Sequence, residues 1–203
     1  MDVSAKARGR IETICGPMYA GKSEELVRRL TRWTYSKQNV LLCTKDTRHG
    51  PGNLVTHAGR AMTSCYLDSA DELLSRDLST VTVIGIDEGQ FCGDTLVQVC
   101  LDLAALHKIV IVSGLDMDYL ERPFENMSLL MGVAESVTKL TAVCMICGDP
   151  ATRSHRTIRS TDRYLEGDKE SYEALCRPCF LDRREDSIHQ SLGPLEGRRA
   201  DLP

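Results

Sequence analysis

An α/β fold is predicted: a mostly parallel sheet with flanking helices around a phosphate-binding loop (P-loop), plus a small lasso-like lobe stapled by zinc. Three observations predict it. Short apolar runs alternate with stretches of helical periodicity, a glycine-rich loop separates the first run from the first helix, and two C-x-x-C pairs follow the last run. The 203 residues, 42% hydrophobic and 27% charged, suffice for one sizeable domain and an appendage.

Residues 11–15 alternate as a strand does, and Leu26, Val27, Leu30 and Trp33 then recur at helical spacing among charged residues. Between them stands Gly16-Pro17-Met18-Tyr19-Ala20-Gly21-Lys22-Ser23, which reads G-x-x-x-x-G-K-S. In this setting the glycines let backbone N–H groups turn toward anionic oxygens, and the helix N-terminus adds its positive end. Lys22 is expected to reach the outer phosphates of a nucleotide, and the Ser23 hydroxyl to ligate Mg²⁺.

Residues 40–43 form an apolar run of the kind found in buried parallel strands, and they empty into a polar, glycine-rich loop containing Asp46 and Arg48. Loops at the carboxyl ends of such strands hold ligands, so both residues are candidates for substrate contact, with a solvated turn as the alternative. A short helix is expected over 70–78. The next apolar run, 81–86, ends at Asp87-Glu88-Gly89-Gln90-Phe91. Asp87 suits a Mg²⁺ shell. Two roles are open to Glu88: activating water, or taking a proton from a substrate hydroxyl. A helix over 95–106 and a buried strand over 109–112 follow. The loop 117–126 carries Tyr119 and Phe124, either to stack on a flat ligand or to pack in the core. A last apolar segment, 137–143, leads into the cysteine pairs.

Nine cysteines are many for this length. Five stand alone and act as small hydrophobes, whereas Cys144, Cys147, Cys176 and Cys179 form two C-x-x-C knuckles. Four thiolates satisfy tetrahedral Zn²⁺ and leave no open position, which makes the metal structural. The polar stretch 148–175 between the knuckles is expected to close over a ligand, and loss of metal to loosen it while sparing the phosphate loop. The expected organisation is an arm (1–9), a P-loop nucleotide-binding domain (10–143), a zinc lobe (144–184) and a flexible tail (185–203).

Composition narrows the partners. The polar, basic first ten residues are not expected to be a secretory leader, and no apolar run approaches the roughly 20 residues that span a bilayer. A net charge of −4 argues against nucleic acid as the main partner. Unpaired cysteines point to a reducing, cytoplasmic setting. Two rival readings are a P-loop ATPase or switch protein in which Glu88 positions water, and a P-loop motor with a zinc knuckle that binds nucleic acid.

With these pieces in order, the chain resembles the type II thymidine kinases, the compact cytosolic and viral deoxynucleoside kinases. The resemblance rests on GPMYAGKS at 16–23, DTR at 46–48, DEGQF at 87–91, GLDMDYLERPF at 114–124, AESVTKLTAVC at 134–144 and the paired knuckles. It implies transfer of the γ-phosphate of ATP, with Mg²⁺, to the 5′-hydroxyl of thymidine in nucleotide salvage. Glu88 is then the general base, Lys22 and Arg48 lie at the transferred phosphate, and Asp46 lies near the sugar. The lasso reads the base through backbone groups near Leu165 and Gly167, with Met18, Phe91, Leu115, Tyr119, Ser154 and Tyr172 around it. Structural Zn²⁺, a homotetramer and feedback inhibition by dTTP are implied as well. Two positions depart from the usual pattern: Cys92 where a second aromatic is common, and Ser154 where many relatives have Thr. Both are expected to loosen the fit around the thymine methyl.

Overall fold

The apolar runs become strands, and their carboxyl ends share one edge. The computed structural model describes residues 9–45, 53–55, 59, 61–158 and 171–192. In chain order these form β1 (Arg10–Gly16), α1 (Lys22–Tyr35), β2 (Val40–Thr44), β3 (Asn53–Val55), β4 (Ala61–Thr63), β5 (Cys65–Tyr66), α2 (Glu72–Ser75) and β6 (Val83–Asp87). Then come α3 (Leu96–Ala105), β7 (Ile109–Leu115), α4 (Glu125–Val133), β8 (Ser136–Lys139), β9 (Ala142–Val143), β10 (Pro150–Ala151), β11 (Arg153–Arg156), β12 (Tyr172–Leu175) and α5 (Arg177–Leu192).

Six strands make one sheet in the order β5-β2-β6-β7-β1-β8, every pair parallel. Side chains alternate across it, which is why the runs are apolar throughout rather than every second residue. Ile14, Val83, Ile109 and Ile111 meet Leu26, Val27 and Leu30 of α1 on one face. Ile11, Ile84, Ile86, Val110 and Val112 meet α2, α3 and α4 on the other, through Leu73, Leu96, Val99, Leu103, Met127 and Leu130. An added Cβ at Gly85 would lie 2.5 Å from Leu30 Cδ1, so glycine there lets α1 sit close on β6.

Several boundaries differ from the sequence-based expectation. The 70–78 helix is only one turn long, because Arg76 leaves the helix in extended conformation. The 137–143 segment divides: β8 joins the main sheet, whereas β9 pairs antiparallel with β10. Leu140 is the joint, its N–H donating to the Cys15 carbonyl at 2.8 Å. Helix α4 was not foreseen; Ser128 and Gly132 dilute its pattern, yet Met127 and Leu130 are buried against the sheet.

The zinc-pair region forms its own lobe from two antiparallel ribbons, β9–β10 and β11–β12. Its small core gathers Ala142, Ala151, Ala174, Leu175 and Phe180 around the cysteines. Helix α5 runs to Leu192, past the point where composition placed the start of the tail. Among the described residues no helix is long and apolar enough to cross a membrane.

Candidate active site

Strands β1, β2, β6 and β7 point their carboxyl ends the same way, and the crevice outside such ends is where open α/β sheets bind ligands. The phosphate loop leaves β1 there. Gly16 has φ 145°, and a Cβ at this position would lie 2.5 Å from the Leu140 carbonyl oxygen. Only glycine lets the loop turn this tightly against the β8–β9 joint. Tyr19 takes a left-handed conformation, φ 64°, and Gly21 sits at the N-cap of α1. Glu24 and Glu25 occupy the first turn of that helix, where the dipole favours negative charge.

Lys22 folds back over the loop, its Nζ donating to the Pro17 carbonyl at 2.7 Å. Burial pushes its ammonium below the ordinary value, opposed by Glu88, Asp87 and Asp116. Those three acids come from the ends of β6 and β7, so sequence-distant residues converge on one cation. Asp87 is 2% exposed. Burial pushes its carboxyl up, while hydrogen bonds from Ser113 and Ser23 and the charge of Lys22 hold it down. Ser23 and Asp87 thus stand side by side.

Glu88 follows in left-handed conformation, φ 56° and ψ 41°, and leads a single 3₁₀ turn over Gly89–Phe91. A non-glycine residue there stores strain of order 1 kcal/mol, which is typical of functional positions. Gln90, 7% exposed, bridges two elements. Its Oε1 accepts the Leu115 N–H at 2.9 Å, and its Nε2 donates to Glu88 Oε2 at 2.5 Å.

The residues expected around the ligand come from both halves. Phe91 packs edge-on against Phe124, ring centroids 6.1 Å apart. In the turn after β7, the Asp118 carboxylate accepts the N–H groups of Leu120 and Arg122, each at 2.9 Å, and so fixes the loop carrying Tyr119. From the lobe, Ser154 Oγ accepts the Met18 N–H at 3.0 Å, and Tyr19 Oη donates to the Tyr172 carbonyl at 3.3 Å. Tyr19 and Ala20 also pack against the lobe's core. Phosphate loop and lobe are thus joined by two hydrogen bonds and by side-chain packing.

The four knuckle thiols lie within 4.8 Å of one another, with Cys147 Sγ and Cys176 Sγ 3.5 Å apart. Tetrahedral Zn²⁺ with Zn–S bonds of about 2.3 Å needs sulfurs about 3.8 Å apart, so the cluster fits that ion. Against burial, N–H donors of Cys147, Cys176 and Ile146 pull the Cys144 thiol down to about 6. Hydrogen bonding among the thiols pushes Cys147 and Cys179 up instead.

The thymidine kinase family pattern matches residues 9–180. The chain belongs to the thymidine kinase family. Curated relatives agree with that assignment. It is 42% identical to the thymidine kinase of Bacteroides thetaiotaomicron, over 88% of this chain and 90% of that one. It is likewise 42% identical to the thymidine kinase of a Rhodothermus species, over 96% and 92%. For the Bacteroides fragilis thymidine kinase the values are 41% identity over 86% and 88%.

Not every residue expected at this thymidine kinase family site can be placed. Asp46, Arg48, Leu165 and Gly167 lie outside the described residues. Cys92 is fully buried in the core, with its Sγ 3.9 Å from the Glu88 carbonyl oxygen. The structure also adds residues that sequence reasoning passed over. Gln90 is one. Asp116, 2% exposed, pairs with Lys139 Nζ at 2.8 Å beside the loop. Arg156 lies 3.8 Å over the Tyr119 ring and donates to Tyr172 Oη at 2.8 Å, joining the two tyrosines. Their signal in the sequence is weak: a lone amide, and single charges inside polar stretches.

Proposed function

We propose that the chain transfers the γ-phosphate of ATP to the 5′-hydroxyl of thymidine, giving dTMP, with Glu88 as general base. The observation that carries this reading is the placement of Glu88. Its carboxylate is fixed by Gln90 at the end of β6, within electrostatic reach of the phosphate-loop Lys22. A base so placed takes the hydroxyl proton as oxygen attacks phosphorus. Loop N–H groups and Lys22 hold the transferred phosphoryl group in line, and little other covalent chemistry is needed from the protein.

Ser23 and Asp87 are the residues that would hold Mg²⁺. Their oxygens suit a hard cation, and a buried carboxylate forced upward by desolvation is one that a divalent charge would relieve. When bound, Mg²⁺ supplies neutralisation of charge on the phosphates. Asp46 toward the sugar and Arg48 toward the phosphate belong to the same reading. So do Met18, Phe91, Leu115, Tyr119, Ser154, Leu165, Gly167 and Tyr172 around the base. Zn²⁺ on Cys144, Cys147, Cys176 and Cys179 has a structural role in this scheme, holding the lobe of residues 144–184 on the 10–143 domain. A homotetramer, inhibition by dTTP and a cytoplasmic place in nucleotide salvage rest on the family resemblance.

The test is Glu88→Gln, which keeps shape and can still accept from Gln90 but cannot take a proton. Thymidine-dependent turnover should fall by about 10²- to 10⁴-fold, with both substrates still bound. Turnover within a few-fold of the parent overturns the assignment. ATP consumption that is indifferent to thymidine overturns the kinase reading itself.

A further inference from the structure

We infer that Gln90 is the positioning residue for Glu88, which rests on the reading of Glu88 as the base. Its amide has only one workable orientation. The Leu115 N–H can only donate, so the atom facing it is Oε1; the carboxylate of Glu88 accepts, so the atom facing it is Nε2. The amide lies against Gly114, where an added Cβ would stand 2.6 Å from Gln90 Oε1 and 2.9 Å from Met127 Sδ. A missing side chain on β7 therefore makes the slot, and the β7 backbone sets its depth. Since Glu88 sits in a left-handed conformation, its backbone does not settle into this pose by default, and Gln90 fixes the carboxylate plane relative to the sheet edge. A glutamate at 90 would satisfy Leu115 equally well but set acceptor against acceptor at Glu88. A methionine would satisfy neither.

Two substitutions in two backgrounds test this. Gln90→Glu keeps the Leu115 bond, and Gln90→Met removes both bonds at similar volume. Each should lower kcat about 10- to 100-fold, the effect of one hydrogen bond to a charged group. For Gln90→Glu, which keeps the Leu115 bond, KM for thymidine and ATP should stay within about three-fold, because the ground-state contacts are untouched. In a Glu88→Gln background the same changes should cost less than about three-fold further, since the base they aim is gone. Equal losses in both backgrounds, or unchanged kcat for Gln90→Glu, overturn the positioning role. A Glu88→Gln variant that is itself fully active overturns the base assignment instead, so the two failures are distinguishable.

A separate observation carries a second site, on the far side of the sheet from the lobe. The structure assigns Cys65, with Cys43 behind it and Arg76 beside it, as a thiol pair that reacts with small-molecule disulfides and closes to an internal disulfide. Cys43 on β2 and Cys65 on the edge strand β5 are register partners, with their sulfurs 2.9 Å apart. Arg76 Nη1 donates to Cys65 Sγ at 2.9 Å and its Nη2 to the Tyr66 carbonyl at 3.1 Å, so the guanidinium is aimed. The Cys43 hydrogen bond, helped by the Arg76 charge, pulls the Cys65 thiol down to about 6 despite partial burial, while Cys43 is pushed up. Cys65 is half-buried and Cys43 fully buried, which separates an attacking sulfur from a resolving one. With oxidised glutathione, the Cys65 thiolate attacks one sulfur and releases a glutathione thiolate. Cys43 then gives its proton to that thiolate, attacks Cys65 Sγ and expels the second glutathione. Two protein thiols are oxidised and one glutathione disulfide is reduced.

Peptide mapping of the zinc-loaded protein after oxidised glutathione, run without reductant, should recover Cys43 and Cys65 as one linked pair that dithiothreitol releases. Cys43→Ser should stop at a glutathione adduct on Cys65. A stable adduct on Cys65 in the parent, or no reaction at Cys65 while other cysteines react, overturns the assignment.

Discussion

Ser154→Ala isolates the bond between the lobe and the phosphate loop. Ser154 is 6% exposed and its Oγ accepts the Met18 N–H at 3.0 Å, so alanine leaves that N–H facing a methyl. A buried donor without an acceptor costs about 1–3 kcal/mol. At about 1.4 kcal/mol per tenfold this is about 5- to 150-fold in an equilibrium constant. Met18 is only partly buried, which places the expected effect in the lower part, about 5- to 30-fold. Met18 belongs to the loop itself, so the cost falls on the conformation that receives phosphate as well as on the pocket wall. Calorimetric titration should therefore show weakened affinity for a non-hydrolysable ATP analogue and for thymidine, each measured alone. Ser154→Thr, which keeps the hydroxyl, should restore both. Weakened thymidine binding with the ATP analogue unaffected, or a threonine variant no better than alanine, refutes the coupling.

Three other expectations follow from the same geometry. Because Tyr19 and Ala20 pack into the lobe's core, chelation or Cys176→Ser should weaken ATP binding together with thymidine binding, contrary to the sequence-based expectation that the phosphate loop would be spared; metal analysis and paired titrations check this. Thymidine and deoxyuridine should both be phosphorylated, since one methyl in an apolar pocket is worth about 1–3 kcal/mol, whereas deoxycytidine should be nearly inert; comparing kcat/KM for the three nucleosides decides it. Hydrogen bonding from Arg28, then Arg29, holds the Glu25 carboxyl at about 2 against an ordinary 4.5. A depressed carboxylate stabilises the fold above its unfolded value, so Glu25→Gln should destabilise at pH 7 by on the order of 1–2 kcal/mol, discounted for the exposure of Arg28. The difference from the parent should vanish as pH falls from about 4.5 to about 2; urea unfolding across that range measures it.

Much of the frame was legible because burial on both faces of a parallel sheet writes itself as unbroken apolar runs. Residues 40–43 and 109–112 are such runs, and both became central strands. The loop was legible because close approach of backbone to phosphate demands glycine at fixed spacing. Other features were not. Helix α4 has only Met127 and Leu130 fully buried, too few to mark a period. The 137–143 segment reads as one strand, since nothing local reveals that Leu140 turns the chain from one sheet to another. Gln90 carries no charge and matches no chemical motif, and its role exists only once β6 and β7 are paired. Arg156 looked like one more charge in a polar loop until the fold set it between Tyr119 and Tyr172.

The position of Phe180 sets an order of events during synthesis. Its ring is 1% exposed in the lobe's core, and Cys176 and Cys179 precede it closely, so the lobe stays incomplete until that stretch has emerged. The main sheet needs nothing beyond Lys139, its last strand. A nascent chain can therefore settle its parallel sheet while the partners of Met18 and Tyr19, namely Ser154 and Tyr172, are still to be made or placed. During that interval the phosphate loop hangs on the sheet without its clasp. All four thiols of the cluster can meet only after the second knuckle has emerged, so the lobe is the last part of the described fold to close.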